Sequence, residues 1–242
     1  MVIHPLDSAV ELIRFYDTFA RSSPDELCSM AMFATLPEGE RVVAIAVCYN
    51  GPVEEGERVL KPLRDYGTPL ADMIGPMPYT QVQCMFDEGF PAGQQNYWKS
   101  NYLRGLDDRA IGLIVEYMGR CPSPGSAVTI ERIGGAVTRV GKEATAFNHR
   151  DAGYNLLIVG LWPDPTAAEE NVTWVRDLWN AMAPYSSGGV YVNYLGQESD
   201  EGSNRVEAAY GPEKYARLVA LKNKYDPTNL FRMNQNIKPN SP

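Results

Sequence analysis

The chain has 242 residues, and its 22 Lys and Arg against 30 Asp and Glu give a net charge of −8. With 44% apolar and 21% charged residues, its composition is that of a globular protein with ample interior, one large domain or two small ones. The acidic balance argues against a nucleic-acid surface or an anionic-membrane partner, since both need a positive field.

Taken in chain order, Ser8 is placed to cap a helix whose apolar residues Val10, Ile13, Phe15, Tyr16 and Phe19 recur at helical spacing. Two strand-like runs follow, Leu27 to Leu36 and Arg41 to Asn50, joined by the turn Pro37 to Glu40. A charged amphipathic helix is expected from Val53 to Arg64. Residues 67–78 are rich in Gly and Pro and read as irregular. Tyr79 to Phe86 reads as a strand, and Asp87 to Gln95 as a loop.

Asp107 and Asp108 open another helix, which ends before Cys121. Val128 to Ile133 reads as a strand running into Gly134 and Gly135, and YNLLIVGLW as the next. Thr166 is expected to cap a long helix. Gly188 to Leu195, GGVYVNYL, reads as a strand with Tyr191 and Asn193 on one face and Val192 and Tyr194 on the other. A last helix occupies Pro212 to Lys224. The order predicts an α+β fold, a mostly antiparallel sheet with helices packed on one face.

The longest apolar stretch, Tyr154 to Pro163, is far short of the roughly 20 residues that span a bilayer. No signal-peptide pattern opens the chain, so the expectation is a soluble, cytoplasmic protein. Cys28, Cys48, Cys84 and Cys121 are scattered without C-x-x-C spacing and read as free thiols, with no metal site. There is no G-x-G-x-x-G and no G-x-S-x-G. His149, one of two histidines, reads as a loop residue bonded to backbone. The remaining chemistry is aromatic and polar: Tyr79, Gln81, Tyr97, Trp98, Tyr102, Glu131, Arg139, Tyr191, Asn193 and Tyr194. By residue type alone, plain packing is the first reading of these and a pocket the alternative.

GGVYVNYL, followed by YGPEKYARLVALKNKYDPTNLFRMNQNI (Tyr210 to Ile237), resembles the C-terminal signature of the berberine-bridge-enzyme-like FAD-linked oxidases. MPYTQVQCMFD, YWKSNYL and ERIGGAVTRVGKEATAFNHR resemble that family's substrate-binding region. The resemblance implies a substrate-binding domain over residues 1–187, with 188–242 a strand, helix and tail that return to a flavin domain. It implies FAD as cofactor, not held tightly by this chain alone, because the family's N-terminal flavin-binding domain has no counterpart here. That domain is then a separate chain, or this sequence is a piece of a longer one.

Carried over position by position, the second tyrosine of Y-x-N-Y, Tyr194, is the catalytic base, with Glu131 as an acidic partner. Asn193, Tyr191 and Asn229 fall on the flavin side. Tyr79, Gln81 and Arg139 are placed at the substrate, Arg139 as a cation that would ease ionisation of Tyr194. The expected partners are a small-molecule substrate, a separate flavin-binding chain and a second copy of this chain. The alternative is a binding or structural module that has lost its redox chemistry.

Overall fold

In the computed structural model, which describes residues 1–196 and 205–240, fifteen helices and strands are arranged about one sheet. They are β1 (Val2–Pro5), α1 (Ala9–Ser22), β2 (Leu27–Thr35), β3 (Arg41–Tyr49), α2 (Val53–Arg64), β4 (Ala71–Asp72), α3 (Tyr79–Gln83) and β5 (Gln95–Leu103). Then come α4 (Asp108–Gly119), β6 (Ala127–Arg132), α5 (Ala136–Arg139), β7 (Tyr154–Trp162), α6 (Ala168–Met182), α7 (Arg205–Tyr210) and α8 (Pro212–Tyr225). The seven strands run in the order β4-β1-β3-β2-β6-β7-β5, and each neighbouring pair is antiparallel.

Alternation along each strand gives the sheet two unlike faces. Ala31, Phe33, Val43, Ile45, Val128, Ile130, Leu156 and Ile158 point into one core with Leu12, Ile13 and Tyr16 of α1, Leu60 and Leu63 of α2, Ile111 and Ile114 of α4, and Val175 and Leu178 of α6. Burying each large apolar group there contributes about 1.5–3 kcal/mol before ordering costs. The helices α1, α2, α4 and α6 thus cover a single face, as the sequence order predicts. The opposite face carries the register row Tyr102, Asn155, Glu131, Met30 and Ala46 across β5, β7, β6, β2 and β3.

Several expected elements differ. Tyr79 to Phe86 is not a strand: Gln81 and Val82 N–H both bond Pro78 O, closing a short helix at the surface. Residues two apart on a helix point in nearly opposite directions, so Tyr79 and Gln81 do not share a face. Gln95 to Leu103, of which the sequence pattern places only Gln95 and that in a loop, is a nine-residue edge strand paired along its length with β7.

Gly188 to Leu195 is not a strand either. Ser187 N–H reaches Tyr102 O at 2.8 Å, but Gly188 and Gly189 then take φ of +83° and +75°, turning the chain off the sheet edge. A 3-10 turn at Val192–Tyr194 follows. Ser8 does not cap α1 through its side chain; its hydroxyl donates to Pro5 O. Asp164 caps the turn that leads into α6, its carboxylate accepting from Thr166 N–H.

Candidate active site

The turn at 191–195 crosses the helix-free face, where Trp98 Nε1 donates to Tyr194 O at 3.1 Å. Side chains three apart eclipse in a 3-10 turn, so Tyr191 and Tyr194 come together, their ring centroids 5.2 Å apart and edge to face. This replaces the alternating arrangement expected for a strand. Tyr194 Oη donates to Glu131 Oε1 at 2.9 Å, and Asn155 Nδ2 donates to Glu131 Oε2 at 2.9 Å. Glu131 is thereby held at both oxygens, and Asn155 Oδ1 is left buried without a partner.

A groove of about 550 Å³ opens beside this group. Its lining includes Glu131, Tyr102, Asn155 and Tyr191, and also Arg132, Asp25 and Arg139. Phe147 stands over it with its ring 6.1 Å from that of Tyr191. Tyr102 is fully buried, and its ring lies 4.6 Å from that of His149, whose Nε2 bonds Ala208 O as a loop histidine should.

Electrostatics at the site run against a free phenolate. Burial first, then the Glu131 carboxylate and the hydrogen bond to it, push the Tyr194 phenol well above its ordinary value. Tyr102 moves the same way, through burial, Tyr191 and Glu131. Arg139 does not ease this. It is ion-paired with Asp25, holding that carboxyl below its usual range. The structure therefore brings Tyr194, Glu131, Tyr191 and Asn193 together, with Asn193 Nδ2 donating to Tyr191 Oη at 2.8 Å. Arg139 lines the same groove, paired with Asp25. Tyr79 lines a second hollow of about 460 Å³ with Met73, Met77 and Met85.

Asn229 sits in the C-terminal tail at φ +55°, with its Oδ1 buried and unpaired. That tail is tied to the turn by Gln235 Nε2, which donates to Leu195 O at 2.7 Å. Sequence reasoning missed Asn155, although a signal existed: it is the one amide in the apolar run YNLLIVGLW. Among the described residues there is no cluster of three metal-ligating side chains, no disulfide, and no helix long and apolar enough to cross a membrane.

Residues 190–238 match the family described as berberine and berberine-like. Over 241 residues the chain is 30% identical to a FAD-linked oxidoreductase of Dictyostelium discoideum, covering 98% of this chain and 51% of that protein. The fold superposes on 6-hydroxy-D-nicotine oxidase of Arthrobacter nicotinovorans with a TM-score of 0.81 at 23% identity, over 99% of this chain and 54% of that one. For a berberine-bridge-enzyme-like protein of Arabidopsis thaliana the TM-score is 0.80 at 20% identity, over 99% and 56%. These matches place the chain with the berberine-bridge-enzyme-like FAD-linked oxidoreductases, and it spans about half the length of the curated relatives it matches.

Proposed function

We propose that this chain supplies the substrate groove and the proton-accepting pair of an FAD-dependent oxidase acting on a small molecule. The observation that carries the reading is the hydrogen bond from Tyr194 to a Glu131 already fixed by Asn155, beside an open groove. Bound FAD would supply the hydride acceptor.

The residues present fit the ring system of such a group. Asn229 Oδ1 and Asn155 Oδ1 are buried acceptors without partners, and Tyr191 and Asn193 are joined by a hydrogen bond beside Tyr194. Tyr191, Asn193 and Asn229 would hold it. Among the described residues nothing resembles a glycine-rich phosphate cradle, so the rest of the cofactor would be held by another domain or chain. The tail at 225–240 suits a segment that returns to such a partner: Leu230, Phe231 and Met233 are each more than 70% exposed.

In the chemical step Tyr194 accepts the substrate proton at Oη while passing its own proton to Glu131. Ionising a phenol of pKa about 10 at pH 7 already costs about 4 kcal/mol. Tyr194 is pushed higher still, so stepwise ionisation is the more expensive route. Transfer to Glu131 in the same event avoids a phenolate beside a carboxylate. Asn155 keeps Glu131 aimed, and Tyr102, Phe147 and Tyr191 exclude water from the groove beside it.

The test is the flavin-loaded protein, obtained by joining the chain with a flavin-binding partner and offering small alcohols and amines without oxygen. Bleaching of the yellow band by a substrate, lost in Tyr194→Phe, is the expected result. A chain that never takes up flavin with any such partner would instead be a binding module.

A further inference from the structure

β2 and β3 set two thiols directly opposite one another. Cys28 and Cys48 are register partners in the antiparallel ladder, so both leave the sheet on its helix-free face. Asn50 N–H bonds Glu26 O at 2.9 Å, and a step of two residues makes 28 and 48 the same hydrogen-bonded kind of pair. Cα atoms in such a pair are about 5.5 Å apart. That lies within the range of about 4.4–6.8 Å found across disulfides. Both thiols are free, Cys28 exposed and Cys48 half-buried. Cys28 lines the groove that holds Glu131, and Cys48 lines the second hollow.

We propose that Cys28 and Cys48 form a reversible dithiol–disulfide couple at the lip of the groove, closed by hydrogen peroxide. The Cys28 thiolate attacks one peroxide oxygen, forming an S–O bond and breaking O–O, with release of hydroxide. The Cys48 thiolate then attacks that sulfur, forming S–S and expelling the second oxygen as hydroxide. The two sulfurs lose two electrons, the peroxide gains them, and with the thiol protons two waters leave. Peroxide is what dioxygen becomes when it reoxidises a flavin, so its local source rests on the oxidase reading, whereas the couple itself does not.

The geometry also makes the bond easy to reopen. Facing Cβ atoms in a ladder stand about 4.5–5.5 Å apart, against about 3.8 Å in a relaxed disulfide. Closure must draw the two strands together, and strained cross-links are the more readily reduced. Two residues along β2, Met30 is the register partner of Glu131, so the strain falls beside the proton-accepting pair. The titratable groups acting on Cys28 are Cys48 from β3 and Glu131 from β6, with Tyr16 of α1 interacting with it from the other side of the sheet. Burial, then Cys48 and Glu131, push the Cys28 thiol up. Thiolate is therefore scarce at neutral pH, and closure accelerates as pH rises.

The reduced full chain, treated with hydrogen peroxide and mapped by mass spectrometry, tests the couple. The expected result is loss of both thiols without added oxygen and a peptide linked through Cys28 and Cys48. That link forms faster at alkaline pH and is reopened by dithiothreitol. Cys48→Ser should leave Cys28 as a trappable sulfenic acid. Cys28 and Cys48 recovered unlinked, whether alkylatable or separately over-oxidised, would overturn the proposal, as would a link to Cys84 or Cys121. Because peroxide is added, this failure would leave the oxidase reading standing, and a chain that takes up no flavin would leave the couple standing.

Discussion

Tyr194 and Glu131, 63 positions apart in the chain, are joined by a hydrogen bond of 2.9 Å, with the phenol donating and the carboxylate accepting. The link turns two groups that are individually unremarkable, a strand glutamate and a turn tyrosine, into a proton path. It also fixes which of them is costly to ionise.

Glu131→Gln removes the charge that opposes a phenolate at Tyr194. The Tyr194 ionisation is expected to move down toward the ordinary phenol value of about 10, though burial keeps it above that. An ultraviolet difference titration against Tyr194→Phe reads the change. An unmoved titration would mean the carboxylate is not coupled to the phenol.

Acid should weaken the seat of the C-terminal segment through His149. Burial lowers its folded pKa below the ordinary 6.5, so on acidification the unfolded chain takes up a proton first. Stability is fully present above about 6.5 and declines as pH falls from there to the folded value. His149→Gln should flatten that decline in urea titrations taken at a series of pH values. A slope equal to the parent's would remove His149 as its source.

Gly189 has φ +75°, and a Cβ there would overlap the His149 ring. Gly189→Ala should destabilise by more than about 1 kcal/mol, through backbone strain and the displaced imidazole together. Thermal melting and protease sensitivity near 188–195 check it, and a melting temperature equal to the parent's would contradict it.

Asp226 pairs with Lys222 and accepts from the N–H groups of Leu230 and Phe231, the first at 2.7 Å and the second at 3.1 Å. Asp226→Ala is expected to speed amide exchange at Leu230 and Phe231 while leaving β7 protected. Equal exchange at those amides would show that the tail is held by other contacts.

The sheet, its four covering helices and the hairpin were legible because their apolar residues keep a period of two or of 3.6. β5 was not, since QNYWKSNYL alternates no apolar face and earns its place through nine partners on β7. GGVYVNYL has strand composition, yet two glycines at positive φ outrank it. The same turn decides the site. Family pattern picked out Tyr194 and Glu131, but their contact depends on tertiary placement that a linear pattern does not carry. The ion pair of Arg139 with Asp25, remote in sequence, is likewise something no linear pattern shows.

The account rests on Tyr194 and Glu131 acting as one unit, and a double-mutant cycle on flavin reduction in the loaded protein tests that directly. Anaerobic reduction rates are compared for the parent, Tyr194→Phe, Glu131→Gln and the double variant. Each single change is expected to slow reduction by about 10²–10⁴, with the double variant little slower than either single one. Losses that simply multiply, or a single variant that reduces flavin as fast as the parent, would contradict the shared proton path.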